Sequence, residues 1–238
     1  MMQFAKWLVN TDAGLAVRIA IGVMIFLEMA IVDINRHGRQ ATRWREYLVL
    51  VIAVAIALLY GGLNDQITSR ISWEYFYYGK ELDLVLGPMT PPDPARLHWE
   101  AAKVGAEATW SVGLILGVAL LIANNPRRGL PRLANRRLLP LLPAILATSA
   151  GLGVVGGGLG FHGFLNHFST EFEEMARYDI FRPHNFLCVW GVHLGDYVGG
   201  LLGGVVAVVW VVRRRFTLAA GLQRPSYSSA PGPDTSSQ

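Results

Sequence analysis

The sequence is short of charge and almost free of cysteine, and each shortage removes a class of protein. A single cysteine, Cys188, rules out an intrachain disulfide and any multi-cysteine metal site; a lone thiol of this kind ordinarily serves packing. Charged residues make up 16% of the chain against 52% hydrophobic, and mean hydropathy is +0.34, too apolar for an ordinary soluble domain. The H-E-x-x-H, Walker A and G-x-S-x-G motifs are absent, as is the Glu-x-x-His pair that di-iron bundles repeat on two helices. The familiar enzyme classes lose weight, and the reading leans away from an enzyme.

What the chain does have is apolar length. Five runs, at about 14–34, 46–64, 104–124, 138–161 and 186–212, approach the roughly 20 residues needed to cross a hydrocarbon core about 30 Å thick. They predict an all-α integral membrane bundle occupying residues 1–221 as one domain. The first run has one Lys before it, an Arg cluster after it and no small-residue cleavage site, so it reads as a retained anchor. The Pro- and Ser-rich tail, 222–238, cannot bury a core and is expected to be disordered.

A net charge of +4 could suggest a nucleic-acid partner, but the basic residues are distributed by loop. Arg36, Arg39, Arg43 and Arg45 follow the first run, Arg127, Arg128, Arg132, Arg136 and Arg137 the third, and Arg213, Arg214 and Arg215 the fifth. The positive-inside rule puts these segments in the cytoplasm and the acid-richer loops 65–103 and 162–185 outside. The expected topology is N-terminus out and C-terminus in, with the bilayer rather than nucleic acid as partner. All seven tryptophans fall near the ends of the runs, where an amphipathic ring favours the headgroup level.

Local signals refine this outline. Asp93 followed by Pro94 reads as an N-cap and first helical position leading into the third run. Thr170 with Glu173 matches a capping box, and Phe172, Met175, Ala176 and Ile180 recur at helical spacing, which predicts a short helix on the outer surface. Glycines four apart (Gly113 and Gly117, Gly153 and Gly157, Gly156 and Gly160, and the series Gly191, Gly195, Gly199, Gly203) predict close packing, with the fourth and fifth runs face to face. Residues 151–156, GLGVVG, match the dinucleotide fingerprint, but they lie inside an apolar run rather than after a strand, so nucleotide binding is rejected.

Ionisable groups inside spans are costly and point to function. Here they are Arg18, Glu28, Glu107, His193 and Asp196, all but Glu28 in the outer half of the expected topology. His193, Asp196 and Tyr197 share one sector of the fifth helix, away from its glycine stripe. Asp65, Arg70 and Glu74 emerge on the same side, as do His162 and His167. The bland alternatives are a structural His193–Asp196 pair and an exposed Arg70–Glu74 ion pair. Convergence from four segments favours a site composed of Asp65, Arg70, Glu74, Glu107, His193, Asp196 and Tyr197.

The elements YGGLNDQITSRISWEYF and VWGVHLGDYVGGLLGG resemble those of a group of small uncharacterised bacterial multi-pass membrane proteins, over about residues 46–212. The resemblance implies a bacterial inner-membrane location and places weight on Asp65, Arg70, Glu74 and His193; it implies no activity. Three functions follow as expectations. The first is an outward-facing carboxylate and histidine pocket that binds or helps translocate a cation, proton or small polar ligand. The second is a membrane-embedded metalloenzyme with His193, Asp196, Glu107, Glu74 and His167 around zinc, iron or manganese, with a haem held between His162 and His193 as a remoter variant. The third is a structural subunit, as a homo-oligomer or within a larger membrane complex.

Overall fold

The computed structural model describes residues 12–88, 91–125, 129–166 and 180–222. These are helical, with no strand among the described residues: α1 (Asp12–His37), α2 (Trp44–Ile71), a π-helical turn (Tyr75–Gly79), α3 (Asp83–Leu86), α4 (Pro94–Ala123), α5 (Leu141–Phe161) and α6 (Pro183–Leu222). Among the described residues four stretches are long and apolar enough to cross a membrane: Trp44–Ile71, Pro94–Ala123, Asn135–Phe161 and Pro183–Leu222. The surface layer of these helices is greasy. Leu59, Leu63 and Ile67 on α2, Ile115 on α4, Val154 on α5 and Leu201 and Val206 on α6 all point outward, the arrangement a lipid solvent favours. The expected outer-surface helix at 170–180 and the tail beyond 222 fall almost wholly outside the described residues, as does His167.

Two antiparallel hairpins make the core. Helices α2 and α4 pack along their length, and so do α5 and α6; contact between the pairs is sparser. Glycine sets the approach within each pair, because without a greasy driving force between helices in lipid, backbone proximity has to supply the contact. A Cβ on Gly61 or Gly105 would collide with the other's backbone carbonyl, and one on Gly113 would come within 2.7 Å of Ala53 O. Thr109 Oγ1 adds a crossing hydrogen bond to Ala57 O (2.8 Å). In the second pair Gly156 lies against Gly191, Gly160 against Leu187, Gly195 against Leu152 and Gly199 against Thr148 and Ser149. This is the expected face-to-face packing, and the GLGVVG segment is thereby a helix-packing surface inside α5.

The helix ends are closed by specific donors and acceptors. Asp93 accepts from Arg96 N (3.3 Å) with Pro94 opening α4, as its sequence signature indicates. Asp33, near the end of α1, accepts from Arg43 N (2.8 Å) and Trp44 N (3.3 Å) and so caps α2 from another helix. At the same end Arg215 differs from its two neighbours. Arg213 and Arg214 are exposed, whereas Arg215 is fully buried and donates to Pro131 O (3.0 Å), Ala123 O (2.5 Å), Asn125 O (2.8 Å) and Leu130 O (3.0 Å). A planar guanidinium with five donors suits the bare carbonyls at the end of α4 and the turn after it.

The glycines of α5 divide into those that touch α6 and those that touch nothing, Gly151 and Gly158. Gly156→Ala should destabilise by about 2 kcal/mol through backbone collision, while Gly151→Ala and Gly158→Ala should be neutral or stabilising by about 0.5 kcal/mol through helix propensity. Thermal unfolding in detergent reads both; equal effects at the three positions would contradict the packing described.

Candidate functional site

Near the end of α2 and the start of α6, the two hairpins enclose a cavity of about 290 Å³. Most of its wall is apolar. Its polar groups come from both hairpins and from the segment between α2 and α3: Tyr60, Asn64 and Asp65 on α2, Lys80 just after the π-helical turn, Thr109 on α4, Ser149 on α5, and His193, Asp196 and Tyr197 on α6. Toward the other end of the helices the wall is made by residues such as Gly113, Leu116, Ile145 and Leu201, without a charge.

Each buried acid is admitted by a missing side chain opposite it. A Cβ at Gly105 would lie 2.7 Å from Asp65 Cγ, and one at Gly153 would overlap the Asp196 carboxylate. Tyr60 Oη donates to Asp196 Oδ1 (2.9 Å), joining α2 to α6, and Ser149 Oγ donates to the Asp196 carbonyl (2.8 Å). His193 Nε2 faces Asp65 Oδ1 at 3.8 Å, near enough for attraction and beyond hydrogen-bond length. The imidazole is stacked on Tyr75 with centroids 5.1 Å apart and planes 14° from parallel, and Phe76 stands edge-on at 6.0 Å. Two polar atoms of this cavity, His193 Nε2 and Asp196 Oδ2, are buried with no hydrogen-bond partner among the described residues. Lys80 places its ammonium 5.6 Å from the centre of the Tyr75 ring at the margin of the same cavity.

Of the residues singled out from sequence, Asp65, His193, Asp196 and Tyr197 line this cavity; Tyr197 is more than half exposed, at 56%. Arg70 does not join them: it is exposed, and its guanidinium donates to Gln66 O and Oε1 of its own helix. Glu74 is buried elsewhere. Its carboxylate accepts from Phe181 N (2.6 Å) and Arg182 N (3.3 Å), capping the start of α6, where backbone N–H groups and the helix dipole favour an anion. The expected Arg70–Glu74 face is broken because α2 ends at Ile71 and the chain turns through Ser72, whose Oγ accepts from Tyr75 N (3.3 Å). Glu107 is half-buried on α4 and does not line the cavity, and His162 is exposed at the end of α5.

Sequence reasoning missed Tyr60, Asn64, Lys80 and Ser149. Tyr60 and Asn64 carried a usable signal, since they lie four residues apart on one face of α2, immediately before Asp65. Lys80 and Ser149 carried none, because their places depend on the π-helical turn and on hairpin docking. The metal shell is also not assembled. Among the described residues no group of three or more His, Cys, Asp and Glu side chains is placed to hold a metal ion, with Glu74 committed to backbone donors and Glu107 outside the cavity.

Comparison of the chain with protein-family models, with curated proteins and with solved structures finds no match. The functional reading therefore rests on the geometry.

Glu74 and Arg70, which flank this region, have different jobs, and substitution separates them. Glu74→Ala should cost about 2 kcal/mol, the scale of buried charge-assisted hydrogen bonds, while Arg70→Ala should stay within about 0.5 kcal/mol, as at an ordinary surface position. Equal thermal destabilisation by both would contradict the assignment of Glu74 as the cap of α6.

Proposed function

We propose that the chain is a bacterial inner-membrane protein whose buried pocket binds a proton or a small monovalent cation. In this reading α1 is a fifth span, the N-terminus is outside and the C-terminus inside, and the pocket lies beneath the outer face. The 26-residue length of α1 and its outward-pointing Met24, Leu27 and Ile31 support its crossing. The arginine-rich segments at one end of the molecule support the orientation.

The observation that carries the binding reading is the pair of buried polar atoms, His193 Nε2 and Asp196 Oδ2, that have no hydrogen-bond partner among the described residues, on one cavity with Asp65. A buried carboxylate oxygen left without a donor costs several kcal/mol, so a resident ligand or proton is the economical explanation. Charge points to the ligand's sign: by formal charge the cavity lining carries Asp65 and Asp196 against one lysine, Lys80, leaving one negative charge to be matched by a proton or cation. The charge-free wall toward the far end of the helices favours binding over passage through the bundle.

Purified protein in lipid nanodiscs, titrated with sodium, potassium or methylammonium chloride while protons are followed with an indicator dye, tests this. The wild type should release protons as a cation occupies the site. Asp196→Asn, which removes the unmatched charge at nearly constant shape, should weaken the response at least about tenfold, equivalent to 1.4 kcal/mol. A response of wild-type size and midpoint in both Asp65→Asn and Asp196→Asn would end the proposal.

A further inference from the structure

At the opposite end of the bundle from the pocket, a groove of about 690 Å³ opens between the first turns of α2 and the segment leading into α5. Three arginines stand in its wall: Arg45 on α2, and Arg132 and Arg136 before α5. Arg132 is paired with Glu46, whereas Arg45 and Arg136 are exposed, and no carboxylate lines the groove among the described residues. The Arg45 guanidinium lies 5.3 Å from the centre of the Trp44 ring, which fixes it at the mouth.

From this basic mouth the wall turns apolar along the helix axis. Leu48 follows Arg45 by about one turn and Ile52 by about two, so the apolar strip extends roughly 10 Å deeper at 1.5 Å per residue. Leu48 is exposed, so the strip is open to the surroundings of the bundle. Two exposed cations lining an open apolar channel between helices match an anionic headgroup with a hydrocarbon chain beneath it. A soluble anion would use the cations and leave the strip bare.

We infer that this groove holds an anionic phospholipid, with its phosphate between Arg45 and Arg136 and one acyl chain along Leu48 and Ile52. The site is separate from the pocket near Asp196 and does not depend on its reading. It places a structural lipid at the seam between the two hairpins, where direct helix contact is sparse.

The full chain in detergent is titrated with dioleoylphosphatidylglycerol, dioleoylphosphatidylcholine or inorganic phosphate, following thermal unfolding and counting retained lipid by native mass spectrometry. Phosphatidylglycerol should raise the unfolding temperature and remain bound, and the other two should do neither. In Arg45→Gln/Arg136→Gln the half-saturating phosphatidylglycerol concentration should rise about thirtyfold, the scale of two basic residues at an anionic headgroup. Arg213→Gln/Arg214→Gln, which removes exposed charge at the same end, should stay within about threefold of wild type. Arg45→Lys/Arg136→Lys should fall between wild type and the Gln variant. The inference is overturned by unchanged phosphatidylglycerol affinity in the Gln groove variant, by an equal loss in the Arg213/Arg214 control, or by equal stabilisation from phosphatidylcholine or inorganic phosphate.

Discussion

The organising constraint is the cost of carrying charge into an apolar solvent, and its local expression is the hydrogen bond from Tyr60 to Asp196. That bond links the two hairpins across the core. Each hairpin is held internally by backbone approach at glycine, which needs no polar group. Between the hairpins the contact is sparser, and it is there that Asp65, His193 and Asp196 are withdrawn from the lipid-facing surface. Glycine serves both purposes: the positions that let backbones touch also vacate space for carboxylates, as Gly105 does for Asp65 and Gly153 for Asp196.

Charge at the helix ends follows a different rule. There, buried ions are matched to backbone groups that have lost their helical partners. Glu74 meets N–H groups at the start of α6, Asp33 meets those at the start of α2, and Arg215 meets carbonyls around the end of α4. These residues look like candidates for chemistry when only their type and burial are considered, yet their capacity is spent on architecture. The pocket differs because His193 and Asp196 each keep a buried polar atom without a hydrogen-bond partner among the described residues.

Much of this was legible in the sequence. Four of the apolar runs became helices able to span a bilayer, the Asp93–Pro94 start of α4 was readable, and the helical wheel of α6 correctly separated a glycine face from a polar one. His193 and Asp196 were singled out because the wheel places them one turn apart, and Asp65 because it follows an apolar run. What could not be read was anything fixed by tertiary contact. Glu74 is carried away from the pocket by the break at Ser72 and the π-helical turn, Arg70 folds back on Gln66, and the wall supplied by Lys80 and Ser149 exists only once the hairpins dock. Periodicity reports one helix at a time, so it ranks faces well and assembles sites poorly.

The most direct check on the account is a double-mutant cycle across the hairpin interface, combining Tyr60→Phe with Asp196→Ala and measuring unfolding free energy in detergent. Residues sharing a buried hydrogen bond should show a coupling of about 1 kcal/mol, within the roughly 0.5–3 kcal/mol range of contacting pairs. Strict additivity, with coupling below about 0.3 kcal/mol, would mean that the two hairpins do not meet at this pocket.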